Sequence, residues 1–303
     1  MAARLNELVV ICISIVLQSL PFVLVGVFAS ALVQQFLTDR TVARWMPRRT
    51  LPAVVLASVS GLVIPVCDCG AIPLARRLAA KGVPAYAAVA FLVAAPVVNP
   101  IVIAASALAF QGNVGVVVLR LTMTLSVSIA VGLLAGALFP AARLDLPGPA
   151  RSLVDADKPV LIGRAPVAGG LGIVRHASSE LFDILFFVVL GAVCTAAVQT
   201  FVPRADLAAF GARPVASVLT LMPVATVLSI CSEADAFVAR AFANTFSPGA
   251  VLAFMTIGQI VDLRNGLLLT RTVGLRVVGL IAGVGYGLVL LEGVALNSLL
   301  VHP

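Results

Sequence analysis

The chain sets Cys67, Asp68 and Cys69 side by side in GLVIPVCDCGAIP (61–73), between two prolines and in apolar surroundings. A second polar group, CSEAD (231–235), adds Cys231, Ser232, Glu233 and Asp235. Thiolates select soft or borderline metals and metalloids, whereas carboxylates prefer harder cations. Cys67, Cys69 and Cys231 around one point would suit a trigonal trivalent metalloid, or zinc if a carboxylate supplied a fourth ligand. Binding of that kind releases thiol protons and therefore varies with pH. Each residue also has a plain structural reading. Cysteine is often a small buried hydrophobe. Asp68 can cap the helix that follows it, Ser232 with Asp235 reads as an N-cap pair, and Glu233 as a first-turn acid. A lone C-x-C is a weak signal, so its weight depends on the elements that would carry it.

Those elements are membrane helices. Apolar residues make up 61% of the chain and charged residues 11%, against about 45–50% and about 25% in soluble domains. Long apolar stretches lie at about 8–36, 51–66, 84–110, 114–139, 178–202, 214–230, 249–263 and 271–299, which marks an all-α polytopic membrane protein. The first stretch is too long for a cleaved signal peptide. The excess of basic over acidic residues sits in short loops between spans, so it reads as orientation in the bilayer and not as nucleic-acid binding. Five cysteines, an odd number, give no even disulfide framework. No G-x-x-x-x-G-K-[ST] run occurs, which excludes ATP hydrolysis by a P-loop in this chain. The one long polar connection, 141–177, is rich in proline, glycine and scattered charge, and reads as a flexible cytoplasmic linker between membrane halves 1–140 and 178–303.

The halves resemble each other. FVLVGVFASALVQQF (22–36) runs against FVVLGAVCTAAVQTF (187–201), and IPVCDCGAIPLARRL (64–78) against LSICSEADAFVARAF (228–242). AFLVAAPVVNP (90–100) aligns with AFMTIGQIVDL (253–263), which sets Asn99 on Asp262; VGLLAG (131–136) pairs with VGLIAG (278–283). If all eight stretches cross, the twenty basic residues divide ten to ten between the two sides. If 51–83 and 214–246 are instead re-entrant helical hairpins turning at CDCG and CSEAD, fifteen share one side and five, including Arg120, face the other. The positive-inside rule asks for bias. The favoured architecture is therefore two inverted structural repeats, each of three spanning helices plus a re-entrant hairpin, with both termini outside. The alternative is eight full spans in parallel repeats.

Inverted repeats with interrupted helices are the construction of many secondary transporters, whose sites lie at the midplane where the breaks meet. The turns at Cys67–Gly70 and Cys231–Asp235 should then converge, with walls from the breaks at Pro96, Asn99–Pro100 and Gln259–Asp262. Acids at membrane depth are costly and so are functional candidates, which adds Asp262 to Glu233 and Asp235 as groups able to take up and release a proton.

PVCDCGAIPLARRLAAKG followed by AFLVAAPVVNP, and ICSEADAFVA followed by AFMTIGQIVDLR, resemble the two signature regions of the predicted-permease family that includes bacterial organoarsenical efflux permeases. The resemblance covers nearly everything but the linker. It implies a multi-pass inner-membrane permease with no enzymatic activity and no cofactor, in which membrane cysteines engage trivalent organoarsenicals. This chain departs from the family pattern in carrying Asp68 between the paired cysteines. The substrate-site residues expected are Cys67, Asp68, Cys69, Asn99, Cys231, Ser232, Glu233, Asp235 and Asp262, and the expected partners are a small soft solute or metal ion and the lipid bilayer; a homo-oligomer is compatible with the sequence. A zinc-type permease is the runner-up. A thiol–disulfide enzyme ranks below it, because such chemistry normally uses C-x-x-C and a second dithiol. A non-transporting subunit of a larger complex is the remaining alternative.

Overall fold

The computed structural model describes residues 49–64, 66–80, 82–138, 214–232, 234–243 and 245–301, together with isolated positions in 6–17 and at 47, 189 and 193. The proposed linker, the matched stretches 22–36 and 187–201, and Glu233 lie outside the described residues, apart from the backbone at 189 and 193. Among the described residues every regular element is helical. In chain order the first half gives α1 (Thr50–Val59, extended by a 3-10 turn to Leu62), α2 (Asp68–Ala80), α3 (Ala85–Ala94), α4 (Pro100–Ala109) and α5 (Val114–Leu138). The second half gives α6 (Pro214–Leu228), α7 (Asp235–Phe242), α8 (Pro248–Ile260), α9 (Leu263–Val273) and α10 (Leu275–Val301).

Among the described residues three stretches are long and apolar enough to cross a bilayer: Val114–Leu138, Pro248–Thr270, which runs through the interruption at Val261–Asp262, and Leu275–Leu299. At 1.5 Å per residue, α5 and α10 exceed the roughly 30 Å of a hydrocarbon core. Their outer faces expose Val114, Val118, Leu134, Leu138, Leu275, Leu291 and Leu299, as suits contact with lipid chains. Helices α3 and α8 are apolar all round and buried on every side, the pattern of a helix at the centre of a protein. Each central helix stops at a break and resumes as a second helix, α4 or α9.

These interruptions are written into the sequence. Pro96 removes a backbone donor, and Asn99 caps α4 by accepting from Ile101 N–H at 2.9 Å, with Pro100 at the first helical position. In the second half Asp262 takes the same place. Its carboxylate caps α9, accepting from the backbone N–H of Asn265, and its other oxygen accepts from Asn265 Nδ2 at 3.0 Å. Asp262 is buried, so its role is a helix cap inside the protein and not an interfacial residue. The breaks at 63–67 and 229–234 separate α1 from α2 and α6 from α7, and α1 and α2 pack on α3 more than on each other.

The two halves pack alike. Helix α3 holds α1, α2 and α5 around it, and α8 holds α6, α7 and α10. Across the divide α7 rests on α4 while α2 rests on α9, a reciprocal exchange of half-helices, and α5 lies against α10. Close approaches recur too. A Cβ on Gly61 would meet Ala95 Cα at 2.8 Å and Val98 O at 2.6 Å. At the equivalent place the glycine has moved to the other partner, Gly258, which faces Ala225. Near the end of each half, a Cβ on Gly132 would meet Val54 and Ala90, and one on Gly293 would meet Val218 and Ala253. Because Val54 and Ala90 align with Val218 and Ala253, Gly132 corresponds to Gly293. The match of VGLLAG with VGLIAG is thus out of register, a product of repetitive Gly, Ala and Leu sequence.

Candidate functional site

The breaks are tied together through amides. Asn99 Nδ2 donates to Val66 O at 3.3 Å, and Gln259 Nε2 donates to Ile230 O, also at 3.3 Å. Val66 and Ile230 are the aligned residues immediately before Cys67 and Cys231. In each half, therefore, an amide side chain at or beside the break in the central helix is bonded to the peptide that precedes the cysteine. Ser229 Oγ adds a further link by accepting from Leu263 N–H at 3.1 Å. Both cysteines are thiols, Cys67 buried and Cys231 half-buried. Cys69 lies in the first turn of α2, but its side chain is outside the described residues. Among the described residues no three His, Cys, Asp or Glu side chains are grouped as a metal site.

Two chemically unlike docks join the halves. In the first, α7 meets α4 and α5. Arg120, from the middle of the apolar helix α5, is 1% exposed and donates Nη2–H to Asp235 Oδ2 at 2.6 Å. Its Nη1–H reaches Ser106 Oγ on α4 at 2.7 Å, and Gln259 Nε2 donates to the same Asp235 oxygen at 2.9 Å. An unpaired charge so deep would be prohibitive, and each ion makes the other tolerable. Three buried oxygens here have no hydrogen-bond partner: Asp235 Oδ1, Gln259 Oε1 and Ser232 Oγ. The N-cap reading of Ser232 with Asp235 does not hold. Helix α7 begins at Asp235 behind Ala234, which makes no side-chain cap, and Asp235 turns toward Arg120.

In the second dock α2 meets α9. A small cleft opens there, lined by Asp68, Ile72, Leu92, Gln259, Asn265 and Ile281 among others. The equivalents of Arg120 and Ser106 by the corrected register are Ile281 and Leu269, both on its wall. Where the first dock has Arg120 and Ser106 this one has Ile281 and Leu269, and its described acid is Asp68, aligned with Ser232. The cavity, about 20 Å³, has room for roughly one water, so the site is closed here to anything larger. Gln259 touches both places, since it lines the cleft and hydrogen-bonds Asp235.

Of the expected site residues, Asp68 lines the cleft, Asn99 and Asp262 form the breaks beside it, and Ser232 and Asp235 belong to the charged dock. The expected wall at Gln259 lines the cleft, whereas residue-by-residue reading missed Asn265 as a cleft residue and Arg120 as the partner of Asp235. It also missed Glu292, half-buried in α10, which accepts from Ser126 Oγ on α5. An arginine and a glutamate inside long apolar runs were the available signals, because charge at that depth demands a partner.

An interrupted-helix membrane protein with a polar cleft between two similarly packed halves has the build of a permease. Residues 4–298 match the predicted permease family, and the chain belongs to it. It is 38% identical over 265 residues to the UPF0718 protein YcgR of Bacillus subtilis (strain 168), covering 86% of each chain. It is 32% identical over 255 residues to a protein of Streptococcus mutans named as a putative two-component membrane permease complex subunit, covering 84% of this chain and 83% of that one. No solved structure matches.

Proposed function

We propose that the chain is a secondary permease of the inner membrane that passes a small, soft, thiol-reactive solute between its two halves. The observation that carries this reading is the cleft at the breaks, lined by residues of both halves and bounded by Asp68, Gln259 and Asn265. Cys67 directly precedes Asp68 at the start of α2, and Cys231 occupies the aligned place before α7. Thiols at both breaks favour a trivalent organoarsenical as the cargo, with a zinc-type cation as the runner-up because Asp68 supplies a hard ligand.

The reciprocal docking of α2 on α9 and α7 on α4 supports an inverted arrangement, with the interrupted segments entering from opposite faces and both termini outside. The arms are short: Thr50–Leu62 rises only about 20 Å at 1.5 Å per residue. Transport would alternate between the two docks, opening the closed cleft as the other is drawn tight. Protons are the coupling ion this reading favours.

Uptake into everted vesicles tests it. Wild type should accumulate a trivalent methylarsenical in preference to zinc, and Cys67→Ser, Cys69→Ser and Cys231→Ser should each lower uptake by about tenfold or more. Unchanged uptake in all three variants overturns the thiol site, and preference for zinc selects the runner-up. The Streptococcus mutans relative is named as one subunit of a complex, which favours as second reading a permease that works only with a partner chain. Proteoliposomes holding the purified chain alone decide between them, since transport there excludes an obligatory partner.

A further inference from the structure

Asp235 is the one described carboxylate hydrogen-bonded both to the charge that joins the halves and to a residue of the cleft. It is 1% exposed, one of its oxygens serves Arg120 and Gln259, and the other has no hydrogen-bond partner. Among the described residues, the groups that reach Asp235 come from three elements packed near α7, and Glu233 lies outside the described residues. Helix α5 contributes Arg120, α4 contributes the neutral Ser106, and α8 contributes the neutral Gln259. On α7 itself Arg240 is exposed, while Asp262, three residues beyond Gln259, is engaged in capping α9.

We propose that Asp235 is the proton-binding site of this permease, that its proton sits on the unbonded Oδ1, and that Gln259 reports its protonation state to the cleft. The inference rests on the permease reading and names the group through which the proton would act. While ionised, Asp235 neutralises Arg120 and holds α7 against α4 and α5. A proton taken from water on one side of the membrane leaves the Arg120 guanidinium as an uncompensated buried charge. That state is costly inside protein and is relieved when the dock loosens and the guanidinium is hydrated. Release of the same proton to the opposite side restores the pair. A carboxylate only accepts hydrogen bonds, whereas a carboxylic acid also donates one. With the proton on Oδ1, Oδ2 still accepts, and the new O–H finds its acceptor when the Gln259 amide turns its partnerless Oε1 toward it, which takes Nε2 away from Ile230 O. The cleft then faces an N–H donor where it had faced an acceptor, and the tie to the break before Cys231 is released.

The test uses the full chain reconstituted in lipid. Infrared difference spectra between acid and alkaline conditions should contain a protonated-carboxyl C=O band that is absent in Asp235→Asn and retained, at shifted frequency, in Asp235→Glu. Arg120→Gln should displace the pH at which this band disappears, and it serves as the deciding variant if Asp235→Asn does not fold. A band identical in wild type and Asp235→Asn, or untouched by Arg120→Gln, overturns the assignment. In vesicles loaded with trivalent methylarsenical, an imposed pH gradient should drive flux in wild type and have no effect on flux in Asp235→Asn; gradient-driven flux in that variant also overturns it. If wild type does not move the arsenical at all, the substrate reading fails, and the infrared result still decides the proton site.

Discussion

At the scale of residues, the molecule concentrates its electrostatic risk in Arg120 and Asp235. Both are buried, and they meet across 115 positions of sequence. Removing one ion strands the other, which costs about 3–5 kcal/mol in typical proteins, whereas replacing both by apolar side chains of similar size is often neutral or better. Arg120→Ala should therefore lower stability in chemical unfolding of the detergent-solubilised protein by an amount in that range. Arg120→Met combined with Asp235→Leu should recover most of it. Recovery of stability without recovery of transport would separate the pair's functional role from its structural one. The sequence made the risk visible but not its resolution, because an isolated arginine in Val114–Leu138 calls for an acid and the spacing along the chain names none. The acids it did single out divided by role: Asp235 pairs with charge, Asp262 caps a helix, and Asp68 lines the cleft.

At the scale of elements, the interruptions were the most legible feature. Proline and the Asn99/Asp262 pair act locally, so the breaks in α3–α4 and α8–α9 could be read from short motifs. What holds the breaks against each other could not, since backbone approach depends on tertiary packing. Gly61 is the clearest instance: a side chain there would strike the backbone at Ala95 and Val98, beside the cap at Asn99. Gly61→Ala should therefore force those segments apart, at a cost of about 1–3 kcal/mol in the same unfolding measurement. It should also make Cys67, now buried, react faster with a water-soluble maleimide. An unchanged labelling rate would show that the contact does not position the break.

At the scale of the whole molecule, duplication could be read where polar landmarks mark the register and was lost where they run out. Cys67 with Cys231 and Asn99 with Asp262 fix the early blocks, whereas the final helix offers only Gly, Ala, Val and Leu until packing identifies Gly132 with Gly293. The charge count sharpens as well. Arg120 is inside the protein, so under the proposed inverted arrangement the bias would become fifteen against four. For an inverted arrangement, single cysteines replacing Trp45 and Phe210 should label from opposite faces of sealed vesicles. Labelling from one common face would rule that arrangement out.

The mismatch between the two docks has a further consequence. A machine built from equivalent halves might be expected to rest equally in mirror-image states, with no preference for either doorway. Here one seam is fastened by a buried ion pair, and the other encloses a water-sized cleft lined by Asp68, Gln259 and Asn265. In the alternation proposed above, the two poses would rest on chemically different seams and so differ in energy.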